Sequence, residues 1–194
     1  MKVVGQEYPR VEILEKVTGE SVFGADVRLA SPLLVGKILG SPHAHARIKN
    51  IDTRKAEKLP GVKAVVTARD FPPVKFGRFI QDEAYFARTK VRLVGDKVAA
   101  VAAVDEETAE EALRLIKVDY EVLPAVIDGL EAMREDAPLI HEDCERYWAA
   151  GLVQGRKGNI LYHKQSLHGD IERGFREADR VFEHRFFAPM VHQT

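Results

Sequence analysis

The sequence has 194 residues, 45 % hydrophobic and 30 % charged, with a formal net charge of −1, so it can bury a core and stay soluble as one large domain or a medium one with a smaller unit. No block of Lys and Arg stands clear of acidic neighbours, which argues against electrostatic binding of nucleic acid. No stretch approaches the roughly 20 apolar residues needed to cross a bilayer, so no membrane association is expected.

Met1 to Arg10 carries Lys2, Glu7 and Arg10 and no long apolar run; no signal peptide is visible, and a cytoplasmic location is expected. Leu33–Leu39, set between Pro32 and Ser41-Pro42, predicts a buried strand. Ala46–Asp52 alternates apolar and charged residues, as a strand with one wet face does. These two are expected to be neighbours, joined through Ser41–His45. Thr53 to Leu59 predicts a short helix, capped by Asp52 or Thr53 and stopped by Pro60-Gly61, with a strand next at Val62–Thr67. Residues 70–90, with Pro72-Pro73, Gly77 and four Phe, read as a loop.

Lys97–Val104 is a run of small apolar residues, expected to be a strand covered on both faces. The clearest helix follows, from Asp105 to Ile116. Ala109, Ala112, Leu113 and Ile116 form its apolar stripe, Asp105 caps it, and Glu106, Glu107, Arg114 and Lys117 suit its dipole. Val118–Val122 alternates as a strand and ends at Pro124. Strand, helix and strand over residues 97–122 form a crossover, which makes the two strands parallel if they share a sheet. Past Pro124 the pattern weakens. Asp128–Arg134 predicts a short helix, and residues 135–159 are irregular. Ile160–His168 and Arg180–Phe187 look like strands on either side of a short helix at Asp170–Ala178, a tail too small to bury its own core. The fold class is α+β (mixed α/β).

The sequence has no G-x-G-x-x-G, Walker A, G-x-S-x-G or C-x-x-C motif. Its single cysteine, Cys144, excludes an internal disulfide and a zinc set built on the usual cysteine spacings. His43 and His45 would share one face of a strand and could hold a metal, but no third ligand follows; a turn whose histidines bond the backbone is the simpler account. His141 and Cys144 are spaced to meet across a helical turn as base and nucleophile of a hydrolase. Acidic neighbours Glu142 and Asp143 oppose the thiolate and favour an ordinary buried cysteine. His163, His168, His184 and His192 are scattered, and His168-Gly169-Asp170 fits a turn into a helix cap. Asp105, Glu106, Glu107, Glu110 and Glu111 are accounted for by helix solvation and dipole. Phe71, Phe76 and Phe79 suit core packing better than a binding surface. No catalytic, cofactor-binding or metal residue is assigned.

In order, these segments resemble the large subunits of the xanthine dehydrogenase and aldehyde oxidase family, the molybdenum hydroxylases. Val17–Glu20 and Phe23–Val27 resemble the entry to its a/b hammerhead domain, and Gly36–Ile48, with Ser41-Pro42-His43-Ala44-His45, resembles its strongest N-terminal signature. Pro60–Thr67 fits the helix-to-strand step that follows. Val91–Ala99 is similar to the family pattern V-R-Y-V-G-x-P-V-A, with Leu93 and Lys97 departing from it, and Ala109–Ala125 completes the match. Gly169–Phe175 with Ala178-Asp179 also fits, and Pro189–Thr194 resembles the strand before the family's Y-x-E-P step.

This resemblance implies a lead-in over residues 1–14, a hammerhead domain over 15–125, a linker over 126–158, and the incomplete beginning of a molybdopterin-binding domain over 159–194. It implies oxidoreductase chemistry in an assembled, oligomeric enzyme containing molybdopterin, iron–sulfur clusters and, in some members, FAD. The glycine-rich loops that hold the pterin and the glutamate base of the family have no counterpart in these residues. Iron–sulfur ligation needs several cysteines. The expectation is a chain that binds no cofactor and has no activity alone, and whose partners are the remainder of the molybdopterin-binding subunit, an iron–sulfur subunit and, as in some members, an FAD subunit. The alternatives are a stand-alone binding module that reuses the hammerhead, and a hydrolase built on His141 and Cys144.

Overall fold

The computed structural model describes residues 4–27, 33–151, 153–189 and 191; Lys2, Pro32, Met190 and His192–Thr194, named above, lie outside them. The chain falls into two units, Met1–Lys75 with Glu83–Ala125, and Phe76–Asp82 with Val126–Thr194.

In the first unit the elements run α1 (Ile13–Thr18), β1 (Val35–Gly40), β2 (Ala46–Asp52), α2 (Arg54–Glu57), β3 (Val62–Thr67), β4 (Lys90–Val91), β5 (Lys97–Ala103), α3 (Glu106–Leu115) and β6 (Lys117–Val122). α1 has no clear signal in the sequence; it ends where Gly19 turns left-handed, at φ 78°. The strands form two three-stranded sheets, β1-β5-β3 and β4-β2-β6, and every pairing is antiparallel.

This order corrects one expectation and leaves the condition of another unmet. β1 and β2 are consecutive but belong to different sheets. The chain leaving β1 is held by the turn before β5, where the Ser41 amide donates to the Asp96 carbonyl (2.9 Å) and the Gly95 amide to the Ser41 carbonyl (2.8 Å). That leaves β2 to pair with β6 and β4. β5 and β6 also lie in different sheets, so the crossover through α3 carries the chain from one sheet to the other and creates no parallel pair.

β5 has buried contacts on both faces. Alternation puts Ala99, Val101 and Ala103 on one face, buried with Ala56 of α2, Ala109 and Ala112 of α3, and Ile116. Val98 points the other way, into a second cluster with Ala46 and Val91. Because Ala99, Ala103, Ala109 and Ala112 carry nothing beyond Cβ, α3 lies close on the sheet. Val35, Leu39, Val62, Val65 and Leu113 close around this contact.

The ends of the helices follow the expected chemistry. Asp105 caps α3, its carboxylate accepting from the Thr108 amide at 2.7 Å. Lys37 on β1 reaches Glu106 (2.5 Å) and Glu110 (3.3 Å), tying an edge strand to the helix. At α2 the N-cap position is Thr53, yet the capping side chain is that of Asp52. It accepts from the Arg54 amide (3.1 Å) and from the Arg54 guanidinium (2.9 and 2.7 Å). The side-chain bonds to Arg54 hold its carboxyl far below the usual carboxylate range.

The second unit contains α4 (Gly129–Ala132), inside the short helix expected at Asp128–Arg134 and capped by Asp128, and α5 (Ile171–Glu177), capped by Asp170. Ile80 bridges Ala149, which fixes part of the segment read as a loop. The strands expected at 160–168 and 180–187 do not form among the described residues; only Ile160 makes a bridge, to Lys157. Alternation supplies a face, but a strand also needs a neighbouring ladder for its amides and carbonyls, and the described residues provide none here. Every described residue from 161 to 191 is exposed.

Two outcomes follow from the α3–β5 contact and its cap. Ala112→Leu in the full chain should overfill the helix–sheet gap and lower stability by about 1–3 kcal/mol in urea unfolding. Asp105 and Glu106 are both held below their ordinary values, the first chiefly by its bond to Thr108 and the second by Lys37. Their depressed folded values make the unfolded chain bind protons first, so their contribution is present above the ordinary carboxylate range and is lost as pH falls through and below it. Asp105→Asn, which keeps a capping side chain, should therefore flatten the acid limb of the stability–pH curve, measured as unfolding midpoints from neutral pH to about pH 2.

Candidate functional site

Three separate segments of the first unit, 40–46, 91–99 and 118–124, meet in one clasp. A Cβ added to Gly40 would lie 3.0 Å from the Gly95 Cα and 3.2 Å from its carbonyl oxygen, and Gly95 itself sits at φ +87°. Two glycines are thus required where the turn crosses the end of β1, one for space and one for conformation. The Asp96 carboxylate closes the turn by accepting from the Arg92 amide at 2.9 Å.

Ser41 is only 2 % exposed. Its hydroxyl accepts from the His43 amide (3.0 Å) and donates to the His43 carbonyl (2.9 Å), which shapes the link into β2. The His43 ring then meets Tyr120 edge-on, with centroids 5.0 Å apart. Burial pushes the Tyr120 phenol up, against the opposing effect of a hydrogen bond with Ser41.

His45 is buried, and its Nδ1 lies 2.5 Å from the Pro124 carbonyl. A carbonyl only accepts, so Nδ1 carries the hydrogen. The Leu123 amide donates back to the His45 carbonyl at 2.9 Å, and fully buried Ala46 follows, paired with Val91 on one side and Val122 on the other. His45 Nε2 is buried with no hydrogen-bond partner.

The two histidines therefore lie in the connection before β2 rather than on a strand. One packs on a phenol and the other ties the chain ends of β2 and β6. Among the described residues no three His, Cys, Asp or Glu side chains stand together as metal ligands.

In the second unit, His141 and Cys144 both line a pocket of about 290 Å³, with Asp82 and Asn159. The Cys144 thiol is buried and donates to the Gly158 carbonyl at 3.2 Å, while His141 Nδ1 lies 3.4 Å from the Tyr147 hydroxyl. The residues that organise this region are Asn159 and Arg156, to which sequence reasoning gave no role. Asn159 accepts from the Ile140 amide (2.9 Å) and donates to the carbonyls of Ala132 (3.1 Å) and Pro138 (3.0 Å). Arg156 donates to the carbonyls of Cys144 (2.7 Å) and Tyr147 (3.0 Å). The available signal was the lack of pattern itself: where no ladder can form, side-chain amides and guanidinium groups must satisfy the backbone.

The other candidates take structural places. Phe71 packs between Tyr85 and Phe86, with centroids at 5.3 and 5.4 Å, beside a shallow pocket of about 150 Å³. Arg88 holds that loop by donating to the carbonyls of Ala68 and Phe71. Phe76 is half-buried, and Phe79 is exposed beneath the Arg78 guanidinium. His163, His168 and His184 are exposed, and Gly169, at φ 70°, makes the turn that leads into the Asp170 cap.

The family described as "Aldehyde oxidase and xanthine dehydrogenase, a/b hammerhead domain" matches residues 18–124. A probable xanthine dehydrogenase component from Bacillus subtilis is 41 % identical over 180 residues, covering 92 % of this chain and 22 % of that protein. The carbon monoxide dehydrogenase large chain of Afipia carboxidovorans is 42 % identical over 201 residues, covering 98 % of this chain and 24 % of that one. Among solved structures, a Cu,Mo-CO dehydrogenase superposes with a TM-score of 0.70 at 37 % identity, over 90 % of this chain and 22 % of its own. The aldehyde oxidoreductase of Desulfovibrio gigas does so with a TM-score of 0.63 at 35 % identity, over 71 % and 16 %. The chain thus spans about a quarter or less of the length of these relatives.

Gly40→Ala should lower stability by about 1–3 kcal/mol, since its new methyl meets backbone that cannot rotate away; unfolding of the full chain in urea measures this. Asn159→Ala should remove the side-chain oxygen that accepts from the Ile140 amide and speed that amide's hydrogen exchange, with amides of β5 unaffected.

Proposed function

The chain belongs to the aldehyde oxidase and xanthine dehydrogenase family through its a/b hammerhead domain, and from this membership we propose that it is a structural and assembly part of the large subunit of a molybdenum hydroxylase, without activity of its own. Relatives in this family are oxidoreductases, and the part they share with this chain includes the hammerhead region and covers 92 % and 98 % of the chain in the two named above. The observation that carries the assembly role is the exposed apolar run in the second unit. Val181, Phe182, Phe186 and Phe187 are 59 %, 76 %, 88 % and 89 % exposed. Apolar side chains in such number mark a surface that another chain or domain covers. A stand-alone binding module would need them covered by the chain itself.

This reading places the chain, without a cofactor of its own, within a holoenzyme that contains molybdopterin, iron–sulfur clusters and, in some relatives, FAD. Its one thiol is buried and bonded to a carbonyl, which does not fit iron–sulfur ligation. No reaction step is assigned to its residues. The partners this reading implies are the remainder of the molybdopterin-binding subunit, an iron–sulfur subunit and, as in some members of the family, an FAD subunit.

The test is recovery of the tagged chain from its native cell extract, with molybdenum and iron measured in the eluate. Co-elution of both metals with a larger partner is expected, and its loss in Phe186→Asp/Phe187→Asp would locate the contact. A metal-free monomer from the unmodified chain overturns the proposal.

A further inference from the structure

We draw no further inference here: the strongest candidate, the outward face of the β1-β5-β3 sheet formed by Gly36, Ile38, Ala64, Val66, Ala100 and Ala102, is apolar and partly exposed, but nothing in the structure shows what covers it.

Discussion

The first unit depends on how closely α3 can lie on β5. Ala99 and Ala103 on the strand face Ala109 and Ala112 on the helix, and all four are fully buried. Each methyl contributes little, about 0.8 kcal/mol for a buried CH₂-sized group. The alanines set the distance, and the larger side chains around them supply most of the burial: Val35 and Leu39 from β1, Val62 and Val65 from β3, Leu113 from the helix. Those residues reach one another only because the alanines let the layers approach. The same strand sends Val98 into the second cluster, so displacing β5 disturbs both cores.

The clasp at residues 40–46, 91–99 and 118–124 solves a connection problem created by the two sheets. β1 and β2 follow each other in sequence yet pair with different partners, so the five residues between them cannot form a hairpin. Their backbone groups must be satisfied otherwise, since a buried unpaired polar group costs about 1–3 kcal/mol. Ser41 provides a hydroxyl that both donates and accepts, the Leu93–Asp96 turn supplies backbone partners, and His45 bonds the Pro124 carbonyl. Against a typical net stability of about 5–15 kcal/mol, a few such bonds are a large share. The unpartnered Nε2 of His45 is a cost accepted within this arrangement.

What the sequence revealed depended on the range of the interaction. Periodicity and capping are local, so α3 with its Asp105 cap, the strand at β5 with Val98 turned to a second face, and the Asp170 cap of α5 were all legible. Sheet membership is not local: nothing within Leu33–Asp52 tells that Ser41 will pair with Gly95 and Asp96. The strands expected at 160–168 and 180–187 failed for the same reason, since their alternation carries no information about the ladder they need. Asn159 was hidden because its three partners lie between 19 and 27 residues away. The histidine pair was half legible. Bonding of His45 to backbone was anticipated, but its partner, Pro124, lies 79 residues on.

The family match over residues 18–124 takes in all three segments that meet in the clasp, and many of their groups are occupied by one another. Gly40 and Gly95 are required by contact distance and backbone angle, Ser41 by two hydrogen bonds to His43, Asp96 by the Arg92 amide, His45 by the Pro124 carbonyl. Side chains bound in this way fix the path of the backbone, and the unpartnered Nε2 of His45 is buried. The same chain is similar to relatives named for xanthine and for carbon monoxide and to a structure named for aldehydes. These residues mark the scaffold because the scaffold is what they make.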